Sequence, residues 1–119
     1  IFSAKWVFEN SSIKPFKGKT ITEELKLRII NPDALIVMKS ISCRSADIRD
    51  VFMLITKSKD KTWIKQEIEK RCSFKERFAK IKEKINSKQF KDNLQGVYGH
   101  IDDELFKRYK KQVLKLGDI

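Results

Sequence analysis

One lysine stands on a helix that is otherwise almost wholly apolar. Lys39 lies among Ala34, Leu35, Ile36, Val37, Met38 and Ile41, and it is followed by Arg44-x-x-Asp47-x-x-Asp50. A cation on a buried helix must meet an anion. That anion is either the oxygen of a ligand or one of the two nearby aspartates, unless the lysine stem snorkels to the surface. Arg44 has two readings, contact with an anionic ligand or a salt bridge between helices. Asp47 has two as well, because an acid in the first turn of a helix complements the helix dipole without any function. Little else in the chain offers chemistry. His100 sits between Gly99 and a helix start with no partner in view, which argues against a catalytic base. Cys43, Cys72 and His100 do not fall at metal-ligand spacing, and two free thiols in a reducing cytoplasm is the better reading of the cysteines.

Two helices with one break carry this constellation. Asn31 as N-cap and Pro32 at the first helical position open the first helix. The break falls at Cys43-Arg44. Ser45 then caps a second helix, in which Ile48, Val51, Phe52 and Ile55 recur at helical spacing. Upstream, Phe2, Ala4, Trp6 and Phe8 alternate with Ser3, Lys5 and Glu9, which predicts a half-buried strand near residues 2–9. Asn10-Ser11-Ser12 breaks it, and Pro15 with Gly18 marks a loop. The alternation of Leu25 to Ile30 predicts a second strand, and Ile21 belongs to a short strand or to a turn before it. Downstream the pattern is helical throughout. Asp60 or Thr62 caps a helix with Trp63, Ile64, Ile68 and Cys72 inward. Ser73 and Glu76 have capping-box spacing ahead of a helix that buries Phe74, Phe78, Ile81 and Ile85. Ser87 opens a short helix with Phe90 and Leu94, broken by Gly96 and Gly99. Asp102-Asp103-Glu104 opens the last helix, and Gly117 stops it. The expectation is an α+β fold, with a small sheet remnant (strands near 2–9 and 25–30) followed by a bundle of five to six helices. The β-rich part spans 1–31 and the helical part 32–119, effectively one domain or a fragment of one.

Composition narrows the classes. With 119 residues, 36% charged and 40% hydrophobic, the chain suits a soluble globular domain with a modest core. It has no apolar run long enough to cross a membrane, and no signal peptide is visible. The first residue is Ile1, which suggests a processed, cropped or incompletely observed chain. The net charge is +11. Residues 1–60 hold 11 basic against 7 acidic side chains, +4, and the remainder 16 against 9, +7. Such an excess favours polyanionic partners. Lys75, Arg77, Lys80, Lys82 and Lys84 make the densest basic surface, with a solvated helix face as the plain alternative. Trp63 and Tyr98 are candidates for base stacking, although core packing suits them better.

The run Leu27-Arg28-Ile29-Ile30-Asn31-Pro32-Asp33-Ala34-Leu35-Ile36-Val37-Met38-Lys39, with Arg44-Ser45-Ala46-Asp47-Ile48-Arg49-Asp50-Val51, resembles the later half of nucleotidyltransferase-fold proteins of the AbiEii toxin-like group of toxin–antitoxin systems. The likeness covers most of the chain from about Leu25. It implies that Lys39 is aimed at nucleotide phosphates, that Asp47 supports the site, and that Arg44 and Asp50 flank and orient it. A triphosphate is the strongest anion available to such a lysine. Ala46 departs from the pattern, because the family usually has Arg or Lys there. The family also uses an upstream Gly-Ser turn and an Asp-x-Asp pair for two Mg²⁺ ions. This chain has neither. Glu23-Glu24 and Asp102-Asp103-Glu104 are better explained by a turn and a helix start. The resemblance therefore implies no catalytic or metal-binding residue within residues 1–119, with Mg²⁺ and transfer of a nucleotidyl group to a nucleic acid such as tRNA belonging to a full-length parent. The implied partners are a nucleoside triphosphate, nucleic acid, and a missing N-terminal half or another chain at the sheet edge. The alternative is a non-catalytic basic helical module that binds nucleic acid or protein.

Overall fold

The aromatic N-terminal segment folds as a helix, not as the strand its alternation predicts. A computed structural model of the chain describes residues 2–17 and 24–119. Helix α1 spans Ala4–Glu9, and Ser3 caps it by accepting the Trp6 backbone N–H at 3.0 Å. Phe2 and Trp6 are then one turn apart and meet, with ring centroids at 4.7 Å. Trp6 stacks on Trp63 at 6.2 Å, and its indole N–H donates to Glu67 Oε1 at 2.9 Å. The alternation misled because only part of that face is buried. Phe8 is 59% exposed, with the Arg28 guanidinium 3.9 Å above its ring.

The first strand lies later than expected. Strand β1 is Ser11–Lys17 and pairs antiparallel with β2, Glu24–Ile30, in the register Ser11 with Ile30 and Lys14 with Leu27. The second strand is where its alternation placed it. Pro15 is tolerated in β1 because, among the described residues, the sheet has two strands and each is an edge. The expectations for Gly18, Ile21 and Glu23 concern positions outside the described residues.

Six helices follow: α2 (Pro32–Ser42), α3 (Ser45–Leu54), α4 (Lys61–Glu69), α5 (Phe74–Ile85), α6 (Phe90–Tyr98) and α7 (Asp103–Leu114). Short 3-10 turns, Ile55–Lys57 and Lys115–Asp118, extend α3 and α7. The fold is thus α+β, a small sheet with a helical bundle. Asp60, Ser73 and Asp102 cap α4, α5 and α7 by accepting the backbone N–H of Trp63, Glu76 and Leu105. Asn31 holds the N-cap position of α2, but its side chain accepts the Ser12 hydroxyl at 2.6 Å instead of capping. The N-cap of α3 is Arg44, not Ser45, because Asp47 reaches back to accept the Arg44 backbone N–H at 3.1 Å. Ser87 follows the end of α5, and its hydroxyl donates back to the Lys84 carbonyl, so α6 begins only at Phe90. Gly96 continues α6, and Gly99, at φ 87°, ends it. The core runs through the bundle, with Val37 of α2, Phe52 of α3, Ile64 of α4, Ile85 of α5, Leu94 of α6 and Val113 of α7 all buried. No helix among the described residues is long and apolar enough to cross a membrane.

Gly117 acts through space rather than as a helix stop. A Cβ built there would overlap Cε1 and Cζ of Phe78, whose ring packs against the glycine. Gly117→Ala is therefore expected to lower stability by about 1–3 kcal/mol, the range for overpacking. Urea unfolding measures it, and a variant as stable as the parent would refute the close approach.

Candidate functional site

Lys39 meets its anions inside the protein. Its Nζ lies 2.9 Å from Asp50 Oδ2 and 3.5 Å from Asp47 Oδ1. Arg44 completes the group, with Nε 3.1 Å from Asp47 Oδ2. The four residues that the sequence groups are thus brought together at the junction of α2 and α3. Helix α2 projects Lys39 toward the first two turns of α3, where the three-residue spacing of Asp47 and Asp50 stacks both carboxylates on one side. The charges balance, two cations against two carboxylates. The Lys39 side chain is 32% exposed, Asp47 only 5%, and Arg44 81%.

The electrostatics follow from this pairing. The hydrogen bond to Asp50 raises the Lys39 pKa above its ordinary value. Burial works against it, and the charges of Asp50 and Asp47 add to it. Burial alone would raise both aspartates. In Asp47 the hydrogen bonds from the Arg44 side chain and backbone, with the charges of Arg44 and Lys39, outweigh burial and leave the carboxyl below its usual range. In Asp50 the hydrogen bonds from Tyr98 and Lys39 do the same.

Tyr98 is the residue that sequence reasoning missed here. Its phenol donates to Asp50 Oδ1. Burial, then that hydrogen bond and the Asp50 charge, push its pKa up to about 12. No sequence signal links α6 to α3, because the two residues are 48 positions apart. Lys39, Asp50 and Tyr98 line an open cavity of about 610 Å³ together with Leu35, Met53, Lys57 and Tyr109. No strand residue lines it among the described residues.

Carboxylates turned inward in this way do not fit a resident metal. Asp47 is engaged by Lys39 and Arg44, and Asp50 by Lys39 and Tyr98. Among the described residues no group of three or more His, Cys, Asp or Glu could hold an ion.

The basic helix has a different geometry from the single face that its composition suggests. Along α5, Lys75 and Lys82 lie seven residues apart on one side of the buried stripe, and Arg77, Lys80 and Lys84 on the other. Glu76 and Glu83 run between them on the outer surface. Lys75 and Lys82 line a groove of about 360 Å³ with Lys65 of α4, floored by Phe74 and Phe78. The two rings stack at 5.5 Å. Lys80 and Lys84 line a separate shallow hollow with Glu83. Arg77 is only partly exposed, its Nε is buried without a partner among the described residues, and its backbone carbonyl accepts the Cys43 thiol. Lys75, Lys80 and Lys82 are exposed and form no ion pair among the described residues.

The remaining candidates lie outside these cavities or in their walls. Trp63 is half-buried beneath Trp6. His100 is exposed after Gly99. Cys43 is buried and Cys72 half-buried, both as free thiols. Cys43 occupies a left-handed conformation (φ 53°) at the end of α2, and burial pushes its thiol pKa up. Comparison with protein-family models, curated proteins and solved structures finds no match to this chain.

Proposed function

We propose that this chain is a nucleic-acid-binding module that holds the backbone of a single strand in the Lys65–Lys75–Lys82 groove. The observation that carries the reading is that groove: two ammonium groups with no ion pair among the described residues and a third lysine above stacked phenylalanines, on a chain of net charge +11. Lys65 also donates to the Ile119 carbonyl, which holds it at the rim. A basic groove with an aromatic floor favours a flexible strand, whose phosphates follow the cations while a base packs on a ring.

The test is a salt titration with labelled single-stranded RNA. With about three to five phosphates neutralised, the log–log slope is about −2 to −3.5, and affinity falls roughly 20- to 100-fold between 50 and 200 mM salt. Lys75→Ala/Lys82→Ala should reduce the magnitude of that slope by about 1.4, whereas Lys39→Ala should leave it unchanged. Absence of binding at low salt, or an unaltered slope in the double variant, refutes the proposal.

A second reading has its own observation. The cavity of about 610 Å³ beside Lys39 also carries Lys57, Tyr98 and Tyr109. It supports the contribution of nucleotide-phosphate contacts as the C-terminal portion of a nucleotidyltransferase-like protein. Binding there requires Lys39 to exchange at least one of its carboxylates for a phosphate. On this reading Mg²⁺ is held by residues outside the Lys39 cluster, since both aspartates there are engaged. Binding of a nucleoside triphosphate that is lost in Lys39→Ala supports this reading, and equal binding by parent and variant removes it.

A further inference from the structure

A second polar cavity lies on the side of the bundle nearest the hairpin. It measures about 280 Å³ and is set where β1, the start of α2 and the connection from α3 to α4 meet. Three lysines from two parts of the chain line it, Lys14 of β1 and Lys57 and Lys59 of the connection. None of them forms an ion pair among the described residues. Asn31 and Trp63 form further parts of the wall. The Asn31 carboxamide oxygen accepts the Ser12 hydroxyl, and its N–H₂ has no protein partner among the described residues. The one carboxylate in the lining, Asp33, is already satisfied. Its oxygens accept the backbone N–H groups of Lys59 at 3.0 and 3.2 Å and of Asp60 at 2.9 Å. That same contact anchors the backbone of Lys59 and Asp60 to the start of α2.

The cavity is therefore rich in free donors and carries a net charge of +2, from three lysines against Asp33. A compact, doubly charged acceptor complements it, and the commonest such group is a phosphate. We propose that this cavity is a binding site for a phosphate dianion, with Lys14, Lys57 and Lys59 as the charged contacts, Asn31 as an amide donor and Trp63 as the wall beside the group that bears the phosphate. The site is distinct from the α5 groove, which it does not touch, and from the Lys39 cavity, with which it shares only Lys57.

Titration of the isotopically labelled full chain with pyrophosphate, followed by amide and indole N–H shifts, tests the site. The expected result is saturable shifts at residues 31–34, at 57–60 and at the Trp63 indole. Lys57→Ala/Lys59→Ala should weaken binding about tenfold or more, the loss expected when charge-assisted hydrogen bonds are removed. Lys75→Ala/Lys82→Ala should leave it unchanged, which separates this site from the groove. Tighter binding of a 5′-phosphorylated short RNA than of its 5′-hydroxyl counterpart assigns the phosphate to a strand end. Equal shifts with inorganic phosphate and a nucleoside monophosphate assign it to a free small molecule. Absence of shifts at these residues, or equal weakening in the two double variants, overturns the site, because the second outcome is diffuse charge attraction.

Discussion

Replacing Phe52 by alanine is expected to lower the unfolding free energy by about 3–5 kcal/mol, the range for truncating a buried aromatic. Phe52 is fully buried on α3, and its ring meets Phe90 of α6 at 5.1 Å, Phe106 of α7 at 5.1 Å and Tyr109 of α7 at 5.8 Å. Three helices are joined through this one side chain, so a cavity there cannot be closed by moving a single neighbour. Phe52→Leu keeps most of the volume and should cost about 1.5 kcal/mol or less. The consequence reaches the site, because α3 and α6 also carry Asp50 and Tyr98. Loosening their packing should weaken the hydrogen bond from the phenol to Asp50 and lower its pKa from about 12 toward its ordinary value. Urea unfolding reads the first effect and ultraviolet titration of the tyrosines the second. A loss under about 1 kcal/mol for alanine would contradict the packing described here.

Glu67 is the second position of large effect, and its environment is electrostatic. The side chain is 7% exposed, and it accepts the Trp6 indole N–H and pairs with Lys70 and Arg71. Arg71 also covers the rings of Phe2 and Trp6, at 4.5 and 5.0 Å from their centroids. Removing the carboxylate leaves a half-buried guanidinium and an indole N–H without their acceptor, so Glu67→Leu is expected to cost about 2–3 kcal/mol. Lys70 contributes little to that figure because its side chain is 66% exposed. Glu67→Gln keeps an acceptor for the indole and should cost less.

The pH dependence has a definite sign. Burial would raise the Glu67 pKa, but the hydrogen bonds from Lys70 and Trp6 and the charges of Lys70 and Arg71 outweigh it and leave the value lowered. A depressed folded-state value means that the stabilisation is complete above the unfolded-state pKa, about 4.3, and is lost as pH falls through the folded one. The stability gap between the parent and Glu67→Gln should therefore narrow below about pH 4. A gap that stays constant into acid would show that the carboxylate charge is not what α4 uses to hold α1. Asp47 and Asp50, also lowered, share this acid dependence. Lys39, raised, works in the opposite sense, and its contribution is lost only as pH rises past its folded value.

Local signals in the chain were enough for most of the bundle. The caps at Asp60, Ser73 and Asp102, the proline at the start of α2 and the apolar spacing of α3, α4, α5 and α7 all act within one or two turns, so they are legible from neighbouring residues. The grouping of Lys39 with Arg44, Asp47 and Asp50 was legible for the same reason, since the four lie within twelve positions across one break. What failed at the N-terminus was an ambiguity that no short window resolves. The eight residues from Phe2 alternate well enough for a strand, and only Trp63 and Glu67, about sixty positions away, decide for a helix by receiving Trp6. Tyr98 on Asp50, Phe78 against Gly117, the division of the α5 cations into two edges and the convergence of Lys14 with Lys57 and Lys59 are likewise matters of how the helices pack. Helix formation is governed by neighbours a few residues away, whereas burial and charge pairing depend on whichever surface the folded chain brings opposite, and that surface exists only once the bundle has closed.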